Sequence, residues 1–134
     1  MKALTLQEIA SLETSRTARS GRGFSMLRIA PAGWAALDGE LDVLATLVSA
    51  HLRHTDFVER LAGREVGAVL IDAVGMEVQA PLARVRAAVA MHFPNAQFLA
   101  GWASVGPGHQ RTWQEAWRWA GTLLVADAAV PAAA

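Results

Sequence analysis

The spacing of apolar residues switches repeatedly between the helical and the extended period. Leu6, Ile9 and Leu12 recur at helical spacing, which predicts a helix over 5–19, with Thr5 as its cap and Glu8 three residues on. Ser20-Gly21-Arg22-Gly23 ends it. The apolar run 24–30 (FSMLRIA), closed by Pro31, predicts a mostly buried strand. Leu41, Leu44, Leu47, Val48 and Leu52 then share one face of a helix over 40–53. Residues 56–62, with Phe57, Val58 and Leu61, and the continuous apolar run 67–73 predict two strands, and Gly63-Arg64-Glu65 between them is short enough for a hairpin. A long helix follows over 76–92, in which Pro81 marks the start proper. A strand over 96–105 is closed by Gly106-Pro107-Gly108. The last helix, 111–127, carries Trp113, Trp117, Ala120 and Leu124 along one stripe. The tail 128–134 has nothing to pack against and is expected to fray.

This order predicts the α+β class: a central mixed β-sheet with a β-hairpin, covered by helices. The 134 residues suit a single domain, 1–134, with residues 1–20 as its N-terminal helix. An apolar share of 53% supports a core. Basic and acidic residues balance at 12 each, which argues against general nucleic-acid binding and against a polybasic membrane patch. The absence of cysteine excludes disulfides, thiolate metal sites and cysteine nucleophiles. Lys2 is the only lysine, so P-loop and Schiff-base chemistry have no basis. No run approaches the ~20 apolar residues of a membrane span, and Glu8 and Glu13 interrupt the start, so no signal peptide and a cytoplasmic location are expected.

At Leu61-Ala62-Gly63-Arg64-Glu65-Val66, followed by an apolar strand, the chain resembles the GGDEF (diguanylate cyclase) family, whose signature turn sits at the centre of the active site. Residues 56–61 are similar to the strand entering that signature, 66–72 to the strand leaving it and 81–89 to the next helix. Residues 96–105 are similar to the strand after that, and the likeness covers about 20–127. The resemblance implies a GGDEF, nucleotidyl cyclase-like fold. It also implies that catalysis needs two carboxylates to hold Mg²⁺ over GTP. Those positions are Ala30 and Arg64, and Glu65 cannot replace two ligands. Of the family's phosphate-contacting lysines, the first falls at Ala35 and the second is missing near Asp127. Asp38 and Asp42 fall near the guanine-contacting positions. The family's DxLTGL-type segment is absent as well. With the signature Ala62, Gly63, Arg64, Glu65 and Val66 degenerate, no catalytic residue and no metal ligand is expected.

A second family feature is matched. Arg53-His54-Thr55-Asp56 reads as RxxD, five residues (57–61) before the signature, at the register of the family's inhibitory site. Arg84 falls where that site is completed from the following helix. The resemblance implies that Arg53, Asp56 and Arg84 bind cyclic di-GMP, usually as a stacked dimer, and that no other cofactor is needed. Guanine presents O6 and N7 to a guanidinium fork. Its N–H donors suit Asp56, and arginines neutralise phosphate and stack on purines. The expected function is an inactive receptor for cyclic di-GMP that signals to a protein partner or a homodimer, in bacterial control of exopolysaccharide or biofilm. The alternative is a nucleotide-independent protein-interaction or dimerisation module.

Plainer roles stand beside these. Arg53 can serve the last carbonyls of its own helix and Asp56 a surface ion pair. Arg84 and Arg86 are otherwise solvated residues of an amphipathic helix. His51 and His54 near Asp56 suggest a metal triad, but Arg53 between them opposes it and solvent exposure is the expected state. Trp113 and Trp117 are expected to pack on the sheet, whereas Trp119 falls on another face and is a candidate docking residue.

Overall fold

The computed structural model describes residues 4–32, 38–94 and 97–129. Helix α1 (Leu6–Ser20) starts as the sequence predicts: the Thr5 hydroxyl accepts from the Glu8 N–H, and the Glu8 carboxylate accepts from the Thr5 N–H. Strand β1 (Phe24–Ala32) follows, then helix α2 (Asp38–Ala50) and the hairpin of β2 (Phe57–Leu61) and β3 (Glu65–Ile71). A 3-10 turn (Gly75–Val78) leads into helix α3 (Gln79–His92), so Pro81 sits in the first turn, where no helical N–H bond is lost. Strand β4 (Gln97–Val105) and helix α4 (Trp113–Ala129) complete the order. Helix α4 runs two residues into the segment expected to fray, because Ala128 and Ala129 are strong helix formers. Residues 130–134, Trp34 and Ala35 lie outside the described residues.

The sheet order is β2-β3-β1-β4 and every neighbouring pair is antiparallel, which corrects the expectation of a mixed sheet. Each crossover helix skips one strand, so the strands running the same way are separated by an antiparallel neighbour. Pro31 does not end β1. Beyond Ile29 only β4 pairs with β1, which leaves one side without a ladder for a proline to interrupt.

Helices α2 and α3 cover one face through Leu41, Leu44, Val48, Leu82, Val85 and Val89, packed on Leu27, Ile29, Ala68 and Leu70. Helices α1 and α4 cover the other, with Leu6, Ala10 and Ala116 on Phe24, Met26 and Val69, and with Trp113 and Trp117 half-buried beside them as expected. Gly101 lets α4 approach β4: a Cβ there would overlap the Ala120 carbonyl oxygen and lie 2.5 Å from the Leu124 nitrogen. Two buried serines tie the sheet to the segment after β3. Ser25 donates to the Ala73 carbonyl (2.6 Å), its oxygen lies 2.9 Å from that of Ser104, and Ser104 accepts from the Gly75 N–H (2.8 Å).

Candidate functional site

Leu61 pairs with Glu65 across the hairpin, and Gly63 and Arg64 between them have φ of 77° and 65°. Two successive left-handed residues give the turn whose twist matches the strands it joins. It projects the signature turn from the sheet beside β1, where Ile29 pairs with Val66 and Ala30 is the next residue. Glu65 does not face this end free. Its carboxylate accepts a fork from Arg28 of β1, Nε at 2.8 Å and Nη2 at 2.9 Å. Arg28 also lies 4.5 Å over the Trp117 ring and donates to the Trp117 carbonyl at 3.2 Å.

The RxxD segment leaves α2 as a tight turn. The Asp56 N–H donates to the Arg53 carbonyl at 2.9 Å, and Asp56 Oδ2 accepts from the Arg53 N–H at 3.0 Å. Asp56 Oδ1 accepts from the Ile71 N–H at 2.9 Å, while the Arg53 guanidinium donates to the Ile71 carbonyl. The segment is thus stapled to the end of β3. Asp56 Oδ2 also lies 3.8 Å from the Nε of Arg53, and with its side chain 3% exposed Asp56 is not an open acceptor for guanine. Arg53 is 53% exposed. Arg84 on α3 is exposed and forms no hydrogen bond or ion pair among the described residues.

Arg53 and Asp56 of this turn and Arg84 of α3 line one pocket of about 210 Å³ together with Asp72, Glu77 and Pro81. A second pocket of about 470 Å³, lined by Arg22, Val74 and Pro107, adjoins it at Arg53, Asp72 and Glu77. The larger one alone falls within the ~300–1,000 Å³ usual for small-molecule sites.

No known family profile and no curated protein matches this sequence. Solved structures do match. The chain superposes with TM-score 0.77 and 19% identity on the diguanylate cyclase SiaD of Pseudomonas aeruginosa, solved with its activator SiaC, over 91% of this chain and 52% of that one. The GGDEF domain of FimX from Pseudomonas aeruginosa gives 0.76 and 16%, over 92% and 85%. DgcB from Caulobacter crescentus, solved as coiled coil and GGDEF domain with cyclic di-GMP, gives 0.73 and 14%, over 90% and 72%. The chain has the GGDEF-domain fold. It spans about half the length of the SiaD chain.

On this GGDEF frame, the positions that the resemblance assigns to Mg²⁺ do not suit that ion. Ala30 offers a methyl group, Arg64 a cation, and both Glu65 oxygens are held by Arg28. Asp42 accepts from Arg60 at 3.0 Å, and the Asp38 side chain lies outside the described residues. His51 and His54 are exposed, and no cluster of metal-ligating side chains occurs among the described residues.

Two site residues were not found by sequence reasoning. Asp72 has a left-handed φ of 59° and pairs with Arg22 at 3.2 Å, and Glu77 accepts from the Val74 N–H at 3.0 Å. A charged residue at the end of an apolar strand was the available signal for Asp72. Arg86 is also not merely solvated. It lies 4.5 Å over the Phe98 ring, donates to the Phe98 carbonyl at 2.9 Å and lies 3.7 Å from Asp127, whose carboxylate accepts from the Ala100 N–H. This clamp covers outward-facing main-chain groups of the edge strand.

Proposed function

We propose that this GGDEF-fold chain does not synthesise cyclic di-GMP but binds it in the groove of Arg53, Asp56 and Arg84, in the bacterial cytoplasm, and passes the signal to a protein partner. The observation that carries the reading is the meeting of these three residues in one pocket, with the Arg84 guanidinium unengaged. Arg53 and Arg84 supply the forks for guanine O6 and N7 and the charge for phosphate. Asp56 holds the turn that presents Arg53. Asp72 and Glu77 add negative charge to the same groove, which Arg22 offsets in part. Catalytic inactivity is supported by Ala30, Arg64 and the engagement of Glu65.

Calorimetric titration with cyclic di-GMP tests the reading. Arg84→Ala is the discriminating variant, because it removes a guanidinium that holds nothing else in place. Wild type is expected to release heat and Arg84→Ala to bind at least ~10-fold more weakly. No heat from wild type, or equal affinity of the variant, overturns the proposal, as does cyclic di-GMP formation from GTP and Mg²⁺.

A nucleotide-independent docking or dimerisation module is the second reading, favoured by Trp119, which is 52% exposed. Ligand at 100 times its dissociation constant adds ~2.7 kcal/mol of stability under the first reading and nothing under the second.

A further inference from the structure

Helix α4 has two working faces. Its inner face carries Trp113, Ala116, Trp117 and Ala120 against the sheet. On the outer face Trp119 exposes half its surface, and its indole has no hydrogen bond, ring stacking or cation contact among the described residues. Burial does not explain that tryptophan. An open groove of about 450 Å³ runs past it, lined by Gln110, Arg111, Glu115, Arg118 and Thr122. From 113 to 122 the helical part of this face measures about 14 Å at the helical rise.

The charges of the groove are unbalanced. Neither the Arg111 nor the Arg118 guanidinium has a hydrogen bond or ion pair among the described residues. The single acid, Glu115, is turned to the helix end: its carboxylate accepts from the Thr112 N–H at 2.9 Å, and its own N–H donates to the Thr112 hydroxyl at 3.1 Å. Two cations therefore flank an exposed indole; both act electrostatically on the Glu115 carboxylate, and the groove keeps a net positive charge of one. Tryptophan and arginine are the side chains most enriched among interface residues that dominate binding. Arginine next to an apolar anchor selects for carboxylates on the other side.

We propose that the outer face of α4 is a docking surface for an acidic protein segment, which seats an apolar side chain on Trp119 and carboxylates on Arg111 and Arg118. This surface lies on the opposite side of α4 from the sheet and shares no residue with the groove of Arg53 and Arg84. It therefore does not depend on nucleotide binding.

A random 16-residue peptide library displayed on phage, selected on the full chain and counter-selected on Trp119→Ala, tests this. Enriched peptides are expected to place Asp or Glu around a Leu, Phe or Trp. By fluorescence anisotropy such a peptide is expected to lose about 30-fold in affinity on Trp119→Ala, lose affinity on Arg111→Ala/Arg118→Ala, and bind more weakly as salt rises. Circular dichroism melting of Trp119→Ala is expected to match wild type, since the ring is exposed. No enriched peptide, peptides without an acidic bias, or equal binding to Trp119→Ala overturns the proposal. So does sedimentation showing a dimer of the chain that Trp119→Ala dissociates, because a second copy would then be the occupant. Titration with cyclic di-GMP on Trp119→Ala separates this outcome from that of the nucleotide reading.

Discussion

Replacing Arg28 with alanine removes the cation that engages the signature glutamate. Exposed ion pairs contribute ~0–1 kcal/mol, whereas breaking a buried one costs ~3–5 kcal/mol. The Arg28 and Glu65 side chains are 21% and 20% exposed, and the contact is a two-pronged fork. These place the coupling between them near ~2 kcal/mol. Arg28→Ala also loses the stacking on Trp117, ~1 kcal/mol more. For 134 residues the unfolding entropy is about 0.28 kcal/mol/K, so the variant is expected to melt about 10 °C lower. Urea unfolding of wild type, Arg28→Ala, Glu65→Ala and the double variant isolates the pairwise energy. Most of that energy is expected to persist in ~1 M salt, because a partly buried pair is weakly screened. A coupling below ~0.5 kcal/mol would refute the view that Arg28 acts as the resident cation of this turn.

Gly101→Ala is expected to cost ~1–3 kcal/mol by urea unfolding, because its methyl group meets the backbone of α4, which cannot swing aside; an unchanged midpoint would mean that α4 does not sit so close. The Thr112 backbone N–H, followed by the Thr112 hydroxyl, holds the Glu115 carboxyl below the usual glutamate range. A depressed folded value stabilises above the unfolded pKa and is lost as pH falls through the folded one. Amide exchange at the start of α4 is therefore expected to rise on acidification below the ordinary glutamate range. A carbon NMR titration of Glu115 with an ordinary midpoint would contradict this.

Elements set by local chemistry were legible in the sequence. The Thr5–Glu8 cap, the Gly63-Arg64 turn, Pro81 in a first turn and the inner tryptophan stripe of α4 each follow from residues close in the chain. The fold class followed from the order of elements, whereas strand direction depends on how crossovers skip strands and left no local trace. The site divides in the same way. Register brought Arg53, Asp56 and Arg84 forward as a set. The role of Asp56 was hidden, because its acceptor work is for the Ile71 N–H, which only β3 brings near. Arg86, Asp72 and Glu77 were missed for the same reason: their partners come from other elements or from unusual backbone geometry.

The serine pair under the 72–78 segment has a fixed polarity. A carbonyl can only accept, so the single Ser25 proton is committed to Ala73, and Ser104 must give its own proton to Ser25 while taking one from Gly75. The relay starts and finishes on the same short stretch, running through β1 and the edge strand β4 like a rivet with one permitted orientation. The wall bearing Asp72 and Glu77 is thereby rigidly joined to the sheet. Whatever enters the groove must be admitted by the long arginine side chains at its rim, since the wall behind them has no slack to give.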